Sequence, residues 1–243
     1  MAEQAIILIP DISGFTGFTG ATEIDHAAHI ITELLQLIVA SNETDFTLAE
    51  IEGDAVLFYR KGEPLRREQL IDQCLRMFAN FHQRLMVIER DTVCQCGACQ
   101  TASNLTLKFI VHFGYIKEIK VAQFVKATGI DMIVAHRLLK NDVNERLGGH
   151  AYALYSDPCT RAMGIDPVAQ GLLEHRESID IIGDVKCWVH DLEEAWEKEN
   201  DRQRNQVTRD KAASVIEFDI AAPRPTVVGA FHAAQPPDKV AGG

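Results

Sequence analysis

Two aspartates stand where the chain turns. Asp11 follows an apolar run, Ala5 to Ile9, that closes at Pro10. Asp54 completes the pair Gly53-Asp54 between two strand-like runs, Phe46–Ile51 and Ala55–Tyr59. A short Ile-rich run bounded by turn residues reads as a buried strand, and Gly-Asp between two such runs reads as a hairpin turn. If the first strand lies beside the hairpin, two carboxylates distant in sequence meet at one edge. Carboxylates that share divalent cations are what phosphoryl chemistry uses: one ion lowers the pKa of an attacking hydroxyl and the other steadies the leaving oxygens. Gly14, Gly17 and Gly20, just after Asp11, would let backbone amides approach phosphates. A plainer reading stands beside this one, with Asp11 a turn or cap residue and Gly53-Asp54 an ordinary hairpin turn.

A second constellation is Cys94-x-Cys96-x-x-Cys99. Three thiols this close suit a structural Zn²⁺ site, which wants four tetrahedral ligands. His82, His112, Cys74 or a partner subunit could supply the fourth. The alternatives are a redox-active thiol on an exposed loop and a Cys-rich loop with no ligand.

The elements that must position these residues follow from periodicity. After the first strand and its Gly-rich turn, apolar residues from Ile24 to Ile38 recur at helical spacing, with Thr22 as N-cap. The hairpin comes next, then a long helix opened by Pro64 with Leu70, Cys74, Met77, Phe78, Phe81, Leu85 and Ile88 on one stripe. Leu105–Tyr115 alternates as a strand. A third helix is expected over Asp131–Leu139, a strand over Ala151–Tyr155, short helices near Asp157 and Asp166, and strands at Ile179–Ile182 and Cys187–Val189. The opening order β-α-β-β-α-β is that of a ferredoxin-like α+β sandwich, with extra C-terminal strands and a charged helix. The expected division is 1–192 as one domain, 193–214 as a charged helix, and 215–243 as a disordered tail.

The chain has 243 residues, 24 Lys+Arg against 35 Asp+Glu for a net charge of −11, and 47% hydrophobic residues. These are globular values. The acid excess excludes a nucleic-acid binder, which needs a basic face, but not a nucleotide that brings its own cations. The first residues lack the basic start and long apolar run of a signal peptide, and no stretch approaches the ~20 apolar residues of a membrane span. The expected compartment is the cytoplasm, and there the six cysteines read as thiols or metal ligands.

Several runs carry a resemblance. Pro10-Asp11-Ile12-Ser13-Gly14-Phe15-Thr16 resembles the opening motif of class III nucleotide cyclases, and Glu50-Ile51-Glu52-Gly53-Asp54-Ala55 resembles their second motif. Val111-His112-Phe113-Gly114 is similar to the family's His-x-Gly strand. Gly129 to Arg137-Leu138 falls where the family has a Gly-rich segment entering an Arg-bearing helix, and Tyr155-Ser156 resembles the strand end that follows. The match covers roughly 4–190. The Cys loop, Leu107-Lys108-Phe109 and His136 to Asn141 look more narrowly like an uncharacterised bacterial branch known by a domain-of-unknown-function label.

The resemblance implies that Asp11, Asp54 and the backbone carbonyl of Ile12 hold two Mg²⁺ or Mn²⁺ ions. It implies attack of a 3′-hydroxyl on the α-phosphate of GTP or ATP, with release of pyrophosphate, and a transition state stabilised by Arg137. It implies a homodimer that shares its sites, with Glu50 and Lys126 at the base-reading positions. There are departures. Ile133 stands where the family has a ribose-orienting Asn. Strict register puts Asp184 where a phosphate-contacting Lys belongs, with Lys186 the alternative. Lys126 matches neither known base-reading pairing. These departures keep a second reading open, a catalytically weak cyclase-homology module that binds nucleotide or signals by dimerising. A third is a zinc-stabilised interaction protein. Val215 to Val227 resembles the first strand of a helix-grip, polyketide-cyclase-like lipid-binding domain.

Overall fold

The computed structural model describes residues 1–20, 24–91 and 101–198. The chain divides into two units, Met1–Glu199 and Asn200–Gly243, and the second lies outside the described residues. In the first, β1 (Glu3–Ser13) leads through a short α1 (Phe15–Gly20) to α2 (Ile24–Ala40), the hairpin β2 (Thr47–Glu52) and β3 (Ala55–Lys61), and α3 (Arg67–Asp91). After a 3₁₀ turn come β4 (Thr106–Val121), β5 (Phe124–Thr128), α4 (Ile130–Arg137), α5 (Val143–Arg146), β6 (Tyr152–Ser156), α6 (Asp157–Ala162), β7 (Leu173–Ile179) and β8 (Gly183–Asp191).

The strands form one sheet in the order β2-β3-β1-β4-β6-β8-β7, with β5 paired to an outer stretch of β4. The first four strands pair antiparallel throughout, β1 between β3 and β4. This is the ferredoxin-like arrangement, and the fold is mixed α+β. The link from β4 to β6 is parallel, and β7 and β8 extend the sheet as an antiparallel hairpin.

Strand alternation divides the core in two. Ile6, Leu8 and Ile12 of β1, with Leu107, Phe109 and Val111 of β4, face α2 and α3. Ala5, Ile7 and Ile9, with Ile110 of β4, face the other way, toward Met132, Val134, Ala135 and Leu138 of α4. With both faces covered, β1 reads as continuous apolar sequence rather than as alternation. The end of α2 is tied down by buried Gln73 of α3. Its side chain accepts from the Glu43 amide at 2.8 Å and donates to the Ser41 carbonyl at 2.7 Å. These bonds satisfy polar groups that burial would otherwise strand.

The structure departs from sequence expectation in two places. The expected strand Ile179–Ile182 is mostly the turn of the β7–β8 hairpin, where Ile181 has φ 73°. The Asp166 region is a series of turns rather than a helix. The described part of the expected charged helix, 192–198, is helical; Leu192 is buried, and Trp196 meets Phe78 edge-on at 6.2 Å between ring centres.

Phe58 is fully buried between the sheet and its helices and packs edge-on against Phe46. Phe58→Ala is expected to cost about 3–5 kcal/mol, the usual range for deleting a buried aromatic. Urea unfolding followed by far-ultraviolet circular dichroism measures it.

Candidate metal and nucleotide site

β1 extends two residues past Pro10-Asp11, so Asp11 sits inside the strand. It pairs with Ala55 of β3 on one side and with Lys108 of β4 on the other. Gly53, at φ 62°, takes the left-handed conformation of the hairpin turn, and Glu52 pairs with Ala55 across it. The Ile12 amide donates to the Asp54 carbonyl at 3.1 Å. Register therefore brings Asp54 beside Asp11. Burial, then the negative field of Asp11, push the Asp54 carboxyl above its ordinary range, and Lys108 pulls the other way.

Asp11 lies on the α4 face of the sheet and is 8% exposed. Its carboxylate takes an ion pair from Lys108, Nζ to Oδ2 2.9 Å, and the same ammonium donates to the Leu139 carbonyl at 3.1 Å. Lys108 has no apparent role in the sequence. The usable signal is alternation: residues 108, 110 and 112 share one face of a buried strand, and an inward lysine there needs an anion.

The N-terminus of α4 is seated by two glycines and a polar relay. His112 shares 2.7 Å with the Ser156 hydroxyl through Nδ1 and 2.9 Å with Asp131 Oδ1 through Nε2. The other Asp131 oxygen accepts the Tyr115 amide at 2.7 Å. The bond from His112, partly offset by burial, holds the Asp131 carboxyl below its ordinary value. A Cβ on Gly114 would fall 2.2 Å from Asp131 Cγ, and one on Gly129 (φ 144°) would fall 2.9 Å from the Tyr115 carbonyl. Only glycine lets the helix come this close.

A cleft of 390 Å³ opens beside α4, lined in part by Glu50, Lys126, Gly129, Met132, Ile133 and His136. A bulge aims Glu50 into it. Leu48 pairs with Phe58 but Glu50 pairs with Leu57, so Ala49 is the extra residue and Glu50 shares the α4-facing side of Leu57. Lys126, on β5, reaches Glu50 at 3.5 Å. Ile133 is half exposed at the cleft wall.

The other candidate residues are placed elsewhere. Arg137 is exposed at the end of α4; its carbonyl accepts the Lys140 amide at 3.1 Å, and among the described residues no hydrogen bond or ion pair engages its guanidinium. Lys186 lies on β8, three strands from β1 (roughly 14 Å by strand spacing) and on the opposite face from Cys187 and Asp11. It pairs with Glu174 at 3.1 Å and sits 4.3 Å from the centre of the Trp188 ring. Asp184 pairs with Ser178 in the same hairpin. Within one chain neither residue reaches Asp11. Cys94, Cys96 and Cys99 lie outside the described residues. Of the residues considered as a fourth zinc ligand, Cys74 is fully buried with its thiol pushed up to about 12, and His112 has both ring nitrogens engaged.

A further group, Asp142, His175 and Glu177, brings three ligand atoms within 4.8 Å of one another. His175 is already bound on both sides, by Arg146 Nη1 at 2.8 Å and by Glu177 Oε1 at 2.6 Å. A guanidinium can only donate, so Nδ1 accepts and Nε2–H donates to the carboxylate. No ring lone pair is left for an ion.

Comparisons with known proteins agree with this geometry at the level of fold. Residues 31–146 match a family described as "Protein of unknown function (DUF2652)". A stretch of 113 residues is 34% identical to the uncharacterized protein Rv2561/Rv2562 of Mycobacterium tuberculosis (strain ATCC 25618 / H37Rv), covering 46% of this chain and 52% of that protein. The chain thus spans about half the length of this curated relative. Among solved structures, a bacterial light-regulated adenylyl cyclase is similar with a TM-score of 0.56 at 11% identity, over 77% of this chain and 51% of that one. The adenylyl cyclase CyaB from P. aeruginosa gives 0.53 at 14% identity, over 79% and 95%. The guanylyl cyclase Cya2 gives 0.50 at 15% identity, over 78% and 92%. The fold is that of the cyclase catalytic domains. Among the described residues, no helix is long and apolar enough to cross a membrane.

Asp54 and Asp131 make opposite predictions. Asp54 has a raised native pKa, so its ionised form opposes folding at neutral pH, and that cost fades as the group protonates. Asp54→Asn should raise the melting temperature of the metal-free protein at pH 7–8 by up to a few degrees, with the gain vanishing below about pH 4. Asp131 has a lowered native pKa, so its contribution is present above the ordinary carboxylate range and lost as pH falls through the folded value. Asp131→Asn should cost about 1–2 kcal/mol at pH 7, with the deficit shrinking only in acid. Melting curves of both variants and wild type between pH 3 and 8 test the pair. Gly114→Ala should cost at least as much as Asp131→Asn at pH 7, because the new methyl forces Asp131 off His112.

Proposed function

We propose that this chain is a class III cyclase-like domain that binds a nucleoside triphosphate with divalent cations and converts it to a cyclic nucleotide and pyrophosphate. The observation that carries this reading is the pair Asp11–Asp54: two carboxylates brought together by register, one of them raised in pKa by burial and by the other's charge, with the Lys108 ammonium beside them. A donor set of hard oxygens with surplus negative charge fits Mg²⁺ or Mn²⁺. Bound there, the ions would activate the 3′-hydroxyl and draw charge from the departing pyrophosphate.

The chain's own residues supply the rest. The cleft beside α4 suits a base. Glu50 accepts from the N1–H and 2-amino group of guanine, and Lys126 donates toward its O6. Adenine would present an amino group to the ammonium and a lone pair to the carboxylate. The preferred substrate is therefore GTP. Arg137, exposed and planar, suits charge developing on a phosphoryl group held by a second copy of the chain. Exposed Phe124, Val125, Ile130 and Ile133 border this side of the domain, and a homodimer would cover them. Ile133, where an oriented polar group would serve the ribose, favours a second reading in which the domain binds nucleotide and dimerises with little turnover.

Purified protein incubated with Mn²⁺ and GTP or ATP should yield cyclic product, faster from GTP. Asp11→Ala should abolish it, and Arg137→Ala should lower it about 10²–10³-fold. No product from either nucleotide, with tight binding that Asp11→Ala weakens, would favour the binding module. No product and no binding would sink both readings. Sedimentation should show a dimer that Phe124→Glu dissociates.

A further inference from the structure

We propose that Lys108 is a resident cation of the dicarboxylate and sets its metal stoichiometry: without nucleotide the site takes one divalent ion, and the second enters only with the triphosphate. The proposal rests on the reading of Asp11 and Asp54 as metal ligands and deepens it.

Lys108 is held on Asp11 by the fold itself. The two are direct cross-strand partners on the α4 face. Their side chains are only 17% and 12% exposed. The ammonium lies 2.9 Å from Asp11 Oδ2 and 3.1 Å from the Leu139 carbonyl, so it is fixed from two sides and not free to drift into solvent. The Leu139 carbonyl lies just past the end of α4, so the helix that carries Arg137 also anchors the lysine.

Charge then decides occupancy. Two carboxylates and one ammonium sum to −1, which is why burial of Asp11 is tolerable in a metal-free chain. One divalent ion brings the sum to +1. A second brings it to +3 in a site sheltered from water, where repulsion between like charges is poorly screened. A triphosphate supplies the missing negative charge. Among the described residues Asp54 has no ion pair, so the first ion lands on its side of the site and shares Asp11 with the lysine.

Mn²⁺ binding to the full chain, read from the electron paramagnetic resonance of free Mn²⁺ and by calorimetry, tests this without any turnover. Wild type should bind one Mn²⁺ per chain alone and two in the presence of a non-cyclisable triphosphate analogue. Lys108→Met should bind two without nucleotide, the first at least tenfold more tightly. Lys108→Arg, which keeps the charge, should behave as wild type. Two ions on nucleotide-free wild type, or Lys108→Met indistinguishable from it, would overturn the proposal. If the methionine variant fails to fold, Lys108→Gln takes its place, and the wild-type stoichiometry still decides. No Mn²⁺ binding by wild type, or binding that Asp11→Asn and Asp54→Asn leave intact, would instead remove the metal-site reading beneath it.

Discussion

A carboxylate placed inside a strand, on a face that a helix covers, must be compensated or it will not stay charged. Asp11 is in that position, and the ammonium of Lys108 compensates it from the neighbouring strand. Much of the surrounding architecture depends on this pairing. It fixes which residues of β1 and β4 face each other, since a slip of one position would bury the lysine among α2 and α3 and turn Asp11 away from it. Asp54 has no ion pair among the described residues, and burial together with the charge of Asp11 raises its carboxyl at the hairpin turn.

The two faces of the sheet do different work. The face under α2 and α3 is apolar and carries the stability of the domain. The face under α4 carries nearly every group able to do chemistry: the dicarboxylate, the His112 relay, and the Glu50–Lys126 pair. Helix α4 covers only part of that face. Glycines at 114 and 129 let it settle close to β4, and the cleft lies open beside it.

The strongest elements were legible from sequence because burial writes itself into composition. β1, the hairpin, α3 and β4 each announce themselves by runs or stripes of apolar residues, and Asp11 and Asp54 stand out by their places at the ends of such runs. β5 and β7 do not. Phe124–Thr128 is largely exposed and Leu173–Ile179 is charged on its outer side, so both exist as strands through their pairing with β4 and β8. The same limit applies to the site. Lys108, Asp131 and the Ala49 bulge act through register across strands, which no window along the chain contains. The Glu50–Lys126 contact depends on that bulge together with β5. Motif register puts Asp184 at the phosphate-contacting position with Lys186 the alternative, and strand parity puts Lys186 on the other face within a single chain.

β4 runs for sixteen residues without a break, and only its first half lies in the core. The second half projects as a two-stranded ribbon with β5, steadied at its base where Tyr59 and Lys61 both hold Glu118. A paired strand bends and twists far more readily than it stretches. The ribbon continues the core strand itself, and its tip lies on the order of 40 Å along β4 from Lys108 at about 3.3 Å per residue. Lys108 and His112 are rooted in the same strand. A contact made at the exposed residues of the ribbon's tip is therefore continuous, through one strand, with the ion pair and with the relay that seats α4.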